Sequence, residues 1–166
     1  MSAELSRPWK AEAALAGEVA VEVVADVAER AAVALRLGVA EVAELVCRFR
    51  LSGVPGEFGR LTGDGQLRAR LTRECVVSLD AFEERVMEAF RVRFVPEGTE
   101  AEDDDPEADD EVPYAGATID LGEAAVEQLA LAMAPYPRKP GVELAEDLAM
   151  EAASPFAALA RLKTPH

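Results

Sequence analysis

The stretch Leu45-Val46-Cys47-Arg48-Phe49-Arg50-Leu51 alternates with a period of two, the mark of a strand with one buried face. Leu45, Cys47, Phe49 and Leu51 take the inward phase; Val46, Arg48 and Arg50 take the outward one, and Gly53, Pro55 and Gly56 end the strand. Upstream, Val19, Val21 and Val23 alternate with Ala20 and Glu22 and read as a shorter strand. Between the two, Asp26 to Leu37 is helix-favouring, opening on an N-cap residue type and followed by Gly38 as a C-cap candidate.

Downstream, the pattern predicts a short strand from Phe58 to Thr62, a turn at Gly63-Asp64-Gly65 and a strand from Gln66 to Cys75. That last strand carries Leu67, Ala69 and Leu71 inside and Arg68, Arg70 and Thr72 outside. Residues 80–95 fit two templates at first, since Phe82, Val86 and Phe90 also make a helical stripe. The clean alternation of Val, Phe and Arg at the end favours a strand over 84–95, with Arg91 and Arg93 on its polar phase.

The chain has 166 residues and a formal charge of −15, but ten of its 32 acids fall within residues 97–111, which contain no base. The remainder holds 22 acids against 17 bases, a net charge of −5. A self-repelling block of this kind predicts a disordered acidic loop over 97–116. The overall charge then says little about what the folded surface binds, and RNA is not excluded. No apolar run is long enough to span a membrane and the start lacks a secretory apolar region, so a soluble cytoplasmic protein is expected.

After the acidic block, Asp120-Leu-Gly-Glu123 has the capping-box form and Leu121 to Met133 reads as a helix. Val126, Leu129, Ala130 and Met133 share the face expected to dock on the sheet. Ser154-Pro155 opens a predicted terminal helix, Phe156 to Lys163. The fold class expected is α+β: a mostly antiparallel sheet with one early helix and C-terminal helices after the acidic loop. The organisation expected is a sheet-containing part over 1–96, the acidic loop over 97–116, and a helical part over 117–166 packed on the same domain.

Much chemistry is disfavoured. The only histidine is the last residue, His166, too near a chain end to serve a nucleophilic triad. Cys47 and Cys75 are far apart and form no Cys-x-x-Cys pair, so no zinc site can be assembled from them and His166. Both phosphate-loop and dinucleotide glycine patterns are absent. The reading is a non-enzyme with no cofactor and no metal. Cys47 lies in the inward phase of its strand, as a small core residue would. Cys75 ends a strand beside Arg73, a setting that would lower its pKa, although a structural role is commoner.

Two groups of residues point towards nucleic acid. Arg48, Arg50, Arg68, Arg70, Arg91 and Arg93 all fall in the polar phase of their strands and would make a basic stripe if those strands share a face. The competing reading is a solvated face laced with Arg–Glu pairs. The second group is Pro135-Tyr136-Pro137-Arg138-Lys139-Pro140-Gly141, where three prolines stop the helix and stiffen the chain. A preorganised ring with two cations, Tyr136 with Arg138 and Lys139, loses little entropy on meeting RNA.

Several blocks, taken in order, resemble the YceD family of large ribosomal RNA subunit accumulation proteins, in an alphaproteobacterial-like form. They are Cys75-Val-Val-Ser-Leu-Asp-Ala-Phe82, Phe90-Arg-Val-Arg-Phe-Val-Pro-Glu97, Ile119-Asp-Leu-Gly-Glu123, Glu127-Gln-Leu-Ala-Leu-Ala132 and Pro135 to Gly141. The resemblance implies a non-enzymatic ribosome biogenesis factor needed for 23S rRNA accumulation, binding precursor rRNA or an early assembly intermediate. Cys75, Asp120, Leu121, Leu129, Leu131, Pro135, Pro137 and Pro140 map onto recurrent positions. Many members carry a Cys-x-x-Cys-like pair where this chain has Cys75-Val-Val-Ser78, and further cysteines near the C-terminal block; no metal site is carried over. The alternative is an acidic module that contacts a basic ribosomal protein through residues 97–111.

Overall fold

The computed structural model describes residues 4–100 and 109–142. The predicted helix over 156–163 lies outside them. An antiparallel ribbon dominates: β3 (Glu41–Gly53), β4 (Leu61–Glu74) and β5 (Ala81–Pro96) run side by side, with β2 (Val19–Val24) beyond β3 and β6 (Asp110–Tyr114) beyond β5. All these pairings are antiparallel except β5 with β6, which is parallel. A small second sheet joins β1 (Pro8–Lys10) to β7 (Thr118–Asp120). The helices are α1 (Ala11–Leu15), α2 (Val27–Leu37) and α3 (Leu121–Ala132). This is the α+β class that the alternation and caps predict, with the five-residue α1 added.

One face of the ribbon is the core. Leu45, Cys47, Phe49 and Leu51 of β3, and Leu61, Leu67, Ala69 and Leu71 of β4, are buried against residues of all three helices. Cys47 is therefore the small core residue its phase implies, and its desolvated thiol is pushed up to about 12. α2 begins as expected at Asp26, whose side chain accepts from the Glu29 N–H while Glu29 returns the bond, and ends at Gly38 in the left-handed conformation. On α3, Val126 and Leu129 are buried as predicted, but Ala130 is exposed; Leu121, Ala124 and Ala125 complete the buried face instead.

Three expectations are corrected. Phe58 is fully exposed outside any strand, and β4 begins only at Leu61. Gly63-Asp64-Gly65 is no turn but lies inside β4, because both glycines face the core where neighbouring side chains fill the space. A Cβ on Gly65 would come within 2.1 Å of the Phe90 ring, and one on Gly63 would press on Leu51, Phe94 and Val92. Residues 110–114 of the acidic loop form strand β6. Its Val112 and Tyr114 pack on the core, Pro113 is tolerated at the sheet edge, and Glu111 pairs with Arg60 at 3.0 Å.

The start of α3 is fastened to the N-terminal segment. The Asp120 carboxylate accepts hydrogen bonds from Ser6 Oγ (2.6 Å) and from the N–H groups of Arg7 (2.8 Å), Gly122 (2.9 Å) and Glu123 (3.2 Å). The Glu123 side chain does not complete a capping box; it pairs with Arg36 of α2 at 2.6 Å, and Arg36 also reaches Glu4 at 3.0 Å. Arg7 in turn holds Glu29 of the α2 cap at 2.6 Å. Burial raises the Asp120 pKa, but its four donors outweigh that and hold it below the ordinary value.

Two stability tests follow from this joint. Gly122 has the Leu5 carbonyl where a Cβ would stand, 2.6 Å away, and that obstacle is main chain. Gly122→Ala therefore destabilises by about 1–3 kcal/mol in urea unfolding, by overpacking, despite alanine's better helix propensity; a stabilised variant contradicts the close approach. Asp120→Ala costs about 1–2 kcal/mol at pH 7. In the wild type this contribution is present above the carboxyl's unfolded pKa and is lost as pH falls through its depressed native value. A difference between wild type and variant that persists undiminished in strong acid contradicts the assignment.

Candidate nucleic-acid interface

Past α3 the described residues, 133–142, form no helix or strand, yet they are held. At the end of β4, residues 75–80 make a tight knuckle: the Leu79 N–H donates to the Cys75 carbonyl and the Cys75 N–H to the Asp80 carbonyl, each at 2.9 Å. Leu79 has φ of 61°, alone among described non-glycine residues in the left-handed region. The proline-rich segment docks on this knuckle. The Val76 N–H donates to the Pro137 carbonyl at 2.9 Å, and Lys139 Nζ pairs with Asp80 at 3.1 Å.

Cys75 joins the two pieces. Its side chain is wholly buried, and its sulfur accepts hydrogen bonds from the Ser78 hydroxyl and from the backbone N–H groups of Lys139, Ser78 and Val77. These donors lower the thiol to about 7, against the opposing effect of burial. The cause differs from the one read in the sequence: Arg73 is engaged with Glu84 at 2.7 Å. Among the described residues no group of three or more His, Cys, Asp or Glu side chains is placed to hold a metal ion.

The clasp buries Pro137 and leaves its neighbours outside. Tyr136 is 75% exposed, and Arg138 is exposed with no ion pair among the described residues. Lys139 is half-buried and spent on Asp80. Val76 and Leu79 of the knuckle are also exposed. Stiff backbone, stacking ring and free guanidinium are thus presented together, a combination suited to a base and its phosphate.

The second group of candidates occupies the open face of the ribbon. The register places Arg48, Arg50, Arg68, Arg70, Arg91 and Arg93 on that one face, and it adds Arg85, which pattern reading passed over. Acids are interleaved with them. Arg68 meets Glu44 at 2.8 Å, Arg91 meets Asp64 at 2.8 Å, Arg93 meets Glu57 at 3.0 Å and Arg85 meets Glu83 at 3.0 Å. The remaining contacts are longer: Arg48 to Glu22 at 3.5 Å, Arg50 to Glu18 at 3.7 Å and Arg70 to Glu83 at 3.9 Å. The face is a lattice of exposed pairs rather than an unopposed basic stripe, and pairs of this kind are readily exchanged.

The thiol clasp makes a pH prediction. A native pKa of about 7 against an ordinary value of 9.0 means that Cys75 stabilises the fold fully above the unfolded pKa, and that this is lost as pH falls through 7. Absorbance at 240 nm should show a thiolate step centred near pH 7, absent in Cys75→Ser and moved upward in Ser78→Ala. A wild-type thiolate step centred at the ordinary value of 9.0 contradicts the clasp.

Comparison with known families matches residues 63–163 to the family described as large ribosomal RNA subunit accumulation protein YceD. No curated protein and no solved structure matches the chain. The matched residues take in β4 from Gly63 onward, β5, the acidic segment, α3 and both halves of the clasp. The match covers more than half of the 166 residues, and the chain belongs to the YceD family of large ribosomal RNA subunit accumulation proteins.

Proposed function

We propose that this protein acts without enzymatic chemistry in assembly of the large ribosomal subunit, by binding precursor rRNA or an early intermediate that contains it. The observation that carries this reading is the clasp: Tyr136 and Arg138 stand exposed on a segment whose backbone is already fixed through Pro137 and Lys139. Binding there stacks an unpaired base on Tyr136 and sets Arg138 against phosphate, with little ordering entropy to offset. Lys139 supports the interface by holding the segment rather than by touching RNA. The arginines of the open face, Arg68, Arg70, Arg91 and Arg93 among them, extend the contact by exchanging acid partners for phosphates.

The test is crosslinking by ultraviolet light in cells whose own copy carries Tyr136→Ala or Arg138→Glu. The wild type should recover large-subunit rRNA, and each variant should recover it roughly tenfold less, the loss expected for one stacked base or one phosphate contact. Large-subunit rRNA should fall in parallel. Recovery of a basic ribosomal protein without RNA, unaffected by either variant, contradicts this reading and favours the acidic segment as the contact.

A further inference from the structure

Two adjacent cross-strand rows on the open face leave a hollow of about 560 Å3 above β4. One row sets Ala20, Arg50, Asp64 and Arg91 side by side; the next contains Arg48, Gln66 and Ala89. The hollow exists because Ala20 and Ala89 are short where their neighbours are long, so main chain around Gly65 forms its floor.

Its polar groups are unequally committed. Arg91 is held by Asp64 at 2.8 Å. Arg48 and Arg50 are each 67% exposed; Arg48 makes one long hydrogen bond to Glu22 at 3.5 Å and Arg50 lies 3.7 Å from Glu18, both longer than charge-assisted hydrogen bonds usually run. The carboxamide of Gln66 has no hydrogen-bond partner among the described residues. Two available cations therefore flank a free donor-and-acceptor group over a floor without bulk.

We propose that this hollow takes one unpaired nucleotide, with its phosphate on Arg48 and Arg50 and its base edge against Gln66; this rests on the RNA reading above. A carboxamide both donates and accepts, as base edges require. The volume falls within the roughly 300–1,000 Å3 of small-ligand sites, ample for one nucleotide. Arg91 is already engaged by Asp64, which leaves the phosphate to Arg48 and Arg50. Duplex RNA does not fit, because its stacked bases cannot enter a hollow one side chain deep. A free mononucleotide and an unpaired residue of an RNA strand share this chemistry. The strand is favoured because the arginine rows continue beyond the hollow on both sides.

The experiment titrates the full chain with a labelled single-stranded oligoribonucleotide, the same sequence as a duplex, and nucleoside monophosphates. Ala89→Phe fills the hollow without changing charge, at an exposed position; Gln66→Leu removes the carboxamide. Each should weaken single-strand binding roughly tenfold and leave duplex binding unchanged. Mononucleotide binding with the same sensitivity to both variants supports the hollow and assigns it to a free nucleotide. Unchanged single-strand binding in both variants, with Arg138→Glu still weakening it, overturns the hollow and leaves the RNA reading standing. Failure of the wild type to bind any RNA at low salt overturns both.

Discussion

The four hydrogen bonds accepted by Asp120 fix where α3 and the segment that follows it, residues 133–142, must go. They join the entry of α3 to Ser6 and Arg7, and Arg7 reaches on to the cap of α2 through Glu29. A carboxylate with that many donors is specified in direction as well as position. Gly122 tightens the same joint by letting the Leu5 carbonyl approach where any side chain would obstruct it. From this point α3 runs over the core face and delivers Pro135 and its neighbours to the knuckle at the end of β4. The position of Tyr136 thus depends on a cap at the other end of a helix.

The knuckle completes what the helix begins. Prolines limit the conformations of segment 135–141 but offer no N–H groups to anchor it. Its anchors are the Pro137 carbonyl, the Lys139 N–H and the Lys139 ammonium, each met by a group of residues 75–80. Cys75 is suited to this place because its buried sulfur accepts from the Ser78 hydroxyl and from backbone N–H groups of both segments. Its partial charge near neutrality strengthens those same bonds. On the open face the logic is different: charges there compensate each other pairwise at little net gain in stability, which leaves them available to a polyanion.

Much of this was legible in the sequence, and the failures have physical causes. Period-two alternation found β2, β3 and β5 because one face of each is buried, and Asp26 with Gly38 bounded α2 because caps are local. Gly63-Asp64-Gly65 was misread because a glycine pair signals a turn unless distant aromatic rings, here Phe90 and Phe94, need the space. Strand β6 was hidden by its charge: Asp110 and Glu111 continue an acidic run, while Val112 and Tyr114 reach the core from a sheet edge. Strands β1 and β7, three residues each, are too short to show a period. Of the candidate site, Tyr136 and Arg138 were visible as composition. The partners of Lys139 and Cys75 were not, since they come from separate segments that only the fold brings together.

Direct binding of the purified chain to a precursor large-subunit rRNA fragment, followed against salt concentration, tests the central claim. The account predicts saturable binding that weakens steeply as salt rises, with the slope reduced by about one phosphate contact in Arg138→Glu. Absence of saturable binding at low salt, or binding whose affinity and salt slope Arg138→Glu leaves unchanged, would contradict it.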